Sequence, residues 1–261
     1  MLLTDKTAIV YGAGGSIGGA VARTFAREGA RVHLVGRTAA ALDAVAEDIA
    51  AAGGSAGTAV LDALDEAAVE AHAASVAADG GIDVSFNLVT RGDVQGMSLL
   101  DMPVDDFMAP VVTGIRANFV TARAAARHMA ERGSGVILTL NSGSAHGSPM
   151  MGGTGPADAA IDTLVRNLAV ELGPRGLRAV GLWAAGVPET LTKEKLAAVD
   201  SGMDLDENAV QGLLAQLAGM RMIRRNPTLP EIAATAAFLA SDHAGGITGT
   251  FVNVTGGMFP G

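Results

Sequence analysis

The chain has 261 residues, a formal net charge of −9 and 49% hydrophobic residues, which fits one α/β domain with a substantial core and excludes a disordered chain. The acidic balance argues against a nucleic-acid partner, because proteins that bind the phosphate backbone are usually basic, and no apolar run approaches the roughly 20 residues that cross a bilayer. Zero cysteines exclude disulfides and thiolate metal sites, and the start MLLTDKTAIV lacks the features of a secretory signal. We therefore expect a cytoplasmic protein with no metal and no membrane partner.

Apolar runs alternate with helical patterns along the whole chain. The runs predict strands at 7–11, 31–35, 56–61, 83–88, 135–141, 177–183 and 250–254, and the intervening patterns predict helices at 16–28, 38–52, 65–79, 104–131, 156–173 and 230–241. This alternation predicts a parallel α/β sheet with right-handed crossovers and helices on both faces. We expect a single domain over 1–261. Within it, the polar and irregular segment 187–227 is interpreted as a substrate-side lid insertion, the alternative being a surface excursion with short helices.

The stretch 8–37 reads as strand, glycine turn, helix and strand. Its turn contains Gly12, Gly15 and Gly18, with Ser16 and Ile17 at the start of the helix. Glycines let backbone N–H groups approach an anion, and a helix N-terminus favours negative charge. The stretch therefore predicts a nucleotide site.

Three further residues follow predicted strands at suitable places for a dinucleotide. Arg37 ends the second strand, where a fold that prefers NAD usually has Asp or Glu, so Gly36 and Arg37 favour a 2′-phosphate and hence NADP(H) over NAD(H); the alternative is a solvated arginine. Asp62 could accept a hydrogen bond from an adenine amine or cap the next helix, and both roles are compatible. Asn87 ends the fourth strand, where ligands bind in such sheets.

At this point the chain resembles the short-chain dehydrogenase/reductase family over nearly its full length. The matching motifs are YGAGGSIG at 11–18 (family TGxxxGIG), LAVEL with GPRGLR at 168–178, FLASD at 238–242, ITG at 247–249 and VTGG at 254–257. The resemblance implies a Rossmann fold with strand order 3-2-1-4-5-6-7. It also implies an NAD(P)-dependent oxidoreductase acting on a small molecule, a contact from Thr190 to the nicotinamide carboxamide, and a homotetramer built through helices 104–131 and 156–173.

The family's catalytic pair, Tyr-x-x-x-Lys, has no obvious counterpart. Ser142 matches the family's serine, and the resemblance implies that it polarises the substrate carbonyl. Counting along the helix puts the tyrosine position at Thr154 and the lysine position at Asp158, and Asp158 also suits the start of a helix. The single tyrosine of the chain is Tyr11 in the nucleotide turn, and an aliphatic hydroxyl is a far weaker acid than a phenol. His146, four residues after Ser142, or a water is the candidate proton donor, and the alternative for His146 is an exposed loop histidine.

Two neighbouring positions also depart from the family. The family's asparagine position falls at Gly114, and Asn118, one turn later, could stand in for it. Arg91 could hold an oxyanion or a carboxylate, or be a surface arginine. Two functions remain open from the sequence: an NADP(H)-dependent oxidoreductase with an atypical site, or a nucleotide-binding homologue without activity that acts as a sensor or partner subunit.

Overall fold

A computed structural model describes residues 1–193, 195–196 and 206–259. Seven parallel strands form one sheet in the order β3-β2-β1-β4-β5-β6-β7. The strands are β1 (Thr7–Tyr11), β2 (Arg31–Gly36), β3 (Ser55–Val60), β4 (Val84–Asn87), β5 (Gly135–Asn141), β6 (Leu177–Trp183) and β7 (Thr250–Asn253). The predicted fold class, strand order and single-sheet architecture are confirmed.

Helices cover both faces of the sheet. They are α1 (Ser16–Arg27), α2 (Ala39–Ala51), α3 (Glu66–Ala78), α4 (Val104–Arg132), α5 (Thr154–Leu172), α6 (Glu207–Met220) and α7 (Leu229–Ala240). Alternate residues of β1 enter different cores: Ala8 and Val10 pack with α1, α2 and α7, whereas Ile9 and Tyr11 pack with α3, α4 and α5. This two-sided burial explains why the inner strands are continuous apolar runs. Among the described helices, none is long and apolar enough to cross a membrane.

Strand β1 lies at the point where the strand order reverses. It pairs with β2 on one side and with β4 on the other, all in parallel. Ligands of such sheets bind in the crevice beyond the carboxyl ends of the strands at this reversal. The ends of β1, β4 and β5 therefore mark where the site must lie.

Part of the predicted lid segment 187–227 is fixed by a buried arginine. Arg221, which is 1% exposed, donates to the carbonyl of Ala185 at 2.8 Å and to Oδ1 of Asn226 at 3.0 Å. It thereby ties the end of α6 to the chain that leaves β6. Residues 194 and 197–205 of the segment lie outside the described residues, and its role as a lid stays a prediction.

Candidate active site

The glycine turn after β1 is tightly packed against neighbouring backbone. A Cβ added at Gly18 would lie 2.1 Å from the carbonyl oxygen of Gly12, and one added at Gly12 would lie 2.5 Å from that of Leu88. Gly12 also has a φ of 81°, which side-chain-bearing residues rarely adopt. The first hydrogen bond into α1 runs from Gly19 N–H to Gly15 at 2.7 Å. The amides before Gly19 are therefore the ones that α1 offers to an anion.

An outer cavity of about 190 Å³ opens beside this turn. Its walls include Gly12 and Gly15, and Arg37 and Asp62 line it as well. Arg37 is exposed and forms no ion pair with any described residue. Asp62 accepts from Leu64 N–H at 2.9 Å, whereas the side chain that caps α3 is that of Asp65. Asp62 thus shapes the turn at the cavity wall and is not the helix cap.

The start of α1 carries a contact from a distant lysine. Lys195 Nζ lies 2.5 Å from Ser16 Oγ, which brings a positive charge to the first residue of α1. Ile17, the next residue, lines a second cavity deeper in the crevice. The turn and the two cavities therefore form one connected region.

The inner cavity, also of about 190 Å³, lies beyond the ends of β4 and β5 and shares part of its wall with the outer one. Its lining residues are Ile17, Asn87, Leu88, Val89, Thr90, Arg91, Asp93, Asn118, Leu140, Asn141, Ser142 and Ala184. Asn87 binds two protein groups: its Nδ2 donates to Thr121 Oγ1 on α4 at 2.9 Å, and its Oδ1 accepts from Val89 N–H at 3.0 Å. The cavity thus unites predicted residues from both halves of the sequence.

Asp158 binds two lining residues of the inner cavity, Ser142 and Arg91, and is 0% exposed. Its Oδ2 accepts from Ser142 N–H at 3.1 Å, from Ser142 Oγ at 2.6 Å and from Ser144 N–H at 2.9 Å. Its Oδ1 pairs with Arg91 Nη1 at 2.6 Å. The expected role at the start of a helix is therefore wrong, because α5 begins at Thr154, has no acidic residue in its first turn, and the buried carboxylate binds Arg91, Ser142 and Ser144.

Arg91 crosses the inner cavity between two carboxylates. Its side chain is 13% exposed, and Nη2 lies 3.0 Å from Asp93 Oδ1 while Nη1 binds Asp158. Burial lowers the pKa of Arg91, but Asp93 and Asp158 outweigh burial and raise it overall. Gly114 makes the route possible, because a Cβ there would lie 2.8 Å from Arg91 Cδ. Arg91 is thus not a surface arginine, and protein carboxylates already neutralise its charge.

The other predicted catalytic residues are placed differently. Thr154 is buried, and its Oγ1 donates to Asp93 Oδ1 at 2.9 Å, which joins it to the Arg91 network. His146 does not belong to the described lining of the inner cavity. Its ring packs edge-on against that of Trp183 with 4.6 Å between the ring centroids, and its Nδ1 lies 3.1 Å from the carbonyl oxygen of Gly143.

Two predicted residues are fixed in local structure away from the inner cavity. Tyr11 ends β1 and is fully buried, and its hydroxyl has no hydrogen-bond partner in the described chain. Burial, followed by the charge of Glu70, raises its pKa. Thr190 donates to the carbonyl of Val187 at 2.8 Å within a single 3₁₀ turn. Tyr11 is therefore a buried residue beside the outer cavity and does not belong to the described lining of the inner cavity that contains Ser142.

Sequence reasoning missed the pairing of Arg91 with Asp158 and the part played by Asp93. The available signal was a combination: an arginine after β4, a glycine at 114 and an acid at 158. Each of these is ordinary by itself. They form one feature only because the fold brings them together. Arg91 and Asp158 are 67 residues apart in the sequence.

Comparisons with known proteins agree with this geometry. Residues 12–259 match the family model adh_short_C2, described as enoyl-(acyl carrier protein) reductase. The L-rhamnose 1-dehydrogenase (NAD(P)(+)) of Azotobacter vinelandii is 35% identical, covering 99% of this chain and 98% of that protein. The short-chain reductase protein NovJ of Streptomyces niveus is 34% identical, covering 97% and 94%. The crystal structure of an NAD⁺-bound xylitol dehydrogenase superposes with a TM-score of 0.86 at 26% identity, covering 98% of this chain and all of the other.

Proposed function

This chain belongs to the short-chain dehydrogenase/reductase family, and on that premise we propose that it is an NADP(H)-dependent oxidoreductase of a small molecule. The outer cavity carries the proposal, because a glycine turn, the amides of α1 and an unpaired arginine converge on it. When bound, the nicotinamide dinucleotide supplies or accepts the hydride. The residues proposed to hold it are Gly12, Gly15, Ser16, Ile17, Gly18, Arg37, Asp62, Asn87 and Thr190.

The preference for NADP(H) rests on Arg37. No carboxylate stands at the end of β2, since Gly36 and Arg37 occupy those positions. A 2′-phosphate would find an exposed guanidinium with no described ion pair, and charge-assisted bonds from arginine to phosphate are among the stronger polar contacts. An NAD-preferring site would instead need an acceptor for the ribose hydroxyls.

The proposed catalytic centre contains Ser142 and Thr154 but not the family's Tyr-x-x-x-Lys pair. The proposal places Thr154 at the tyrosine position and Asp158 at the lysine position. Since His146 packs on Trp183 outside the described lining of the cavity, we assign proton exchange to water, with His146 as the alternative donor. Loss of a positioned general acid or base slows a reaction by about 10²–10⁴-fold without ending it, so we expect slow turnover.

The test separates cofactor preference from turnover. Calorimetric titration should give tighter binding of NADPH than of NADH. Arg37→Ala should remove this difference by weakening the binding of NADPH about 10–100-fold. Arg23→Ala, which breaks an exposed pair with Asp48, is the matched control and should change neither affinity. Equal affinities for both dinucleotides in the unmodified protein would refute the proposed preference.

A second function is favoured by one observation: the single tyrosine is buried in β1 and does not belong to the described lining of the inner cavity. The chain would then bind the dinucleotide without turnover, as a sensor or as a partner subunit. Oxidation of NADPH across a panel of aldehydes, ketones and enones distinguishes the two functions. Tight binding with no oxidation, and no effect of His146→Ala, would favour the second.

We also propose a homotetramer. Exposed apolar residues lie along α4 at Val104, Met108, Val112 and Phe119, and Val170 is exposed on α5. Alanines 122, 124, 125 and 126 of α4 are buried in the core of the subunit and allow close helix packing there, so the exposed apolar residues alone support the proposed interface. Light scattering at micromolar concentration should report four copies, and a monomer would contradict the proposal.

A further inference from the structure

The inner cavity has a surplus of negative charge. Asp93 and Asp158 contribute two carboxylates, and Arg91 contributes one guanidinium that binds both. One net negative charge therefore remains in the network. An anionic ligand placed beside it would be repelled, and the repulsion would be strong because the groups are poorly exposed. Arg91 is thus poorly suited to hold a substrate carboxylate.

The hydroxyl of Ser142 donates its only proton to the protein and cannot donate it to a ligand. A carboxylate only accepts hydrogen bonds, and a serine hydroxyl has one proton, so the 2.6 Å contact commits that proton to Asp158 Oδ2. The 2.7 Å contact between Ser142 Oγ and Ser144 Oγ must then be donated by Ser144. Ser142 Oγ keeps one lone pair, and it lines the cavity with an acceptor.

Asn118 provides a second acceptor. It is 6% exposed and lines the same cavity. Its Nδ2 donates to the Gly114 carbonyl at 2.9 Å, which fixes the orientation of the amide. Its Oδ1 is buried and has no hydrogen-bond partner in the described chain. Buried acceptors are nearly always paired, so this oxygen indicates a donor that a ligand would bring.

From these observations we propose that the inner cavity recognises an uncharged polyol and rejects carboxylates. Hydroxyl protons of the ligand would be donated to Ser142 Oγ, Asn118 Oδ1 and the carboxylate of Asp93, while the apolar residues of the lining cover its carbon chain. The proposal rests on the oxidoreductase function and names its substrate class. It assigns Ser142 the role of accepting from a substrate hydroxyl, opposite to polarising a carbonyl by donation.

The experiment compares neutral and anionic ligands of equal size. Xylitol, sorbitol and galactitol are each paired with the corresponding aldonate, and binding is measured by calorimetry on the protein saturated with NADPH. NADPH and an alditol are both reduced, so no turnover disturbs the titration. We expect at least one alditol to bind tenfold or more tightly than its aldonate. Aldonates binding as tightly as alditols, or no binding by any of the six, would overturn the proposal.

Variants connect the discrimination to named groups. Asn118→Leu should weaken alditol binding about tenfold, because the variant lacks the acceptor oxygen. Asp93→Asn should reduce the ratio of alditol affinity to aldonate affinity at least threefold. Asp101→Asn, on an exposed turn outside the cavity, should change neither value. Thermal unfolding identifies any variant that has lost its fold, and the wild-type ratio remains decisive in that case.

The outcome is separable from that of the oxidoreductase function. Reduction of NADP⁺ by the same alditols is followed by the absorbance of NADPH in a separate assay. The assay is run long enough to detect turnover that is slowed by about 10²–10⁴-fold. Alditol binding without reduction would support the cavity specificity and refute the oxidoreductase function. Reduction driven preferentially by hydroxy acids would do the reverse.

Discussion

Replacing Arg91 by methionine tests whether the buried network holds the site together. The change keeps an unbranched side chain, shorter than that of arginine, and removes the cation between Asp93 and Asp158. Asp158 is 0% exposed and Arg91 is 13% exposed, so the remaining carboxylate could not be solvated by water. Removing one partner of a buried ion pair costs about 3–5 kcal/mol. Because three donors from Ser142 and Ser144 still bind Asp158, we expect the lower end of this range.

The assay is urea unfolding of the wild type and three variants. Arg91→Met should lower the free energy of unfolding by about 3 kcal/mol. The double variant Arg91→Met with Asp158→Asn removes both charges and should recover at least half of the loss. Arg23→Met is the control, since it breaks an exposed pair with Asp48 and should cost less than about 1 kcal/mol. If Arg91→Met costs no more than Arg23→Met, the network does not stabilise the fold and our reasoning is wrong.

Two further predictions concern the nucleotide turn and a histidine pair. Because Lys195 Nζ contacts Ser16 Oγ at the start of α1, Lys195→Ala should weaken the binding of NADPH and of NADH equally, by about tenfold in calorimetry. A variant that binds only NADPH more weakly would contradict this prediction. Burial, and then the charge of His33, lowers the pKa of His72 to about 4, and burial lowers that of His33 as well. Both pKa values lie below 6.5 in the native state, so the unfolded chain binds more protons and the free energy of unfolding should fall as the pH drops from about 6.5 toward 4. His72→Gln should make that decrease shallower, and an unchanged slope in urea unfolding across this range would count against the assignment.

The fold could be predicted from the sequence because its signals are local and repeated. Apolar runs that alternate with helical patterns fix a parallel sheet, and the glycine turn at 12–18 fixes where the nucleotide region begins. The start of α5 was misplaced by two residues, since Thr154 and Gly155 join the helix ahead of Pro156. Proline is tolerated in a first helical turn, so its position alone could not define the boundary.

The inner cavity could not be predicted, because its chemistry depends on a contact between distant segments. A carboxylate after Pro156 looks like a residue that complements the helix dipole, and nothing local indicates that Asp158 is buried. Its partner Arg91 follows a strand, where arginines are often exposed. Gly114 lacks a side chain and gives no chemical signal, although its missing Cβ provides the space that Arg91 occupies.

Arg91, Gly114 and Asp158 depend on one another and are best understood as one unit. The proposed lysine position carries an acid, Asp158, and the cation now comes from Arg91 on a different segment, passing over Gly114. Under our proposal, the buried positive charge of the centre comes from Arg91, which binds Asp158 and a second carboxylate, Asp93. Placing a lysine at 158 alone would set two cations side by side and leave Ser142 and Ser144 without their acceptor. Introducing the family's pair would thus require removing Arg91 at the same time, because the charge, the space and the hydrogen bonds are coupled.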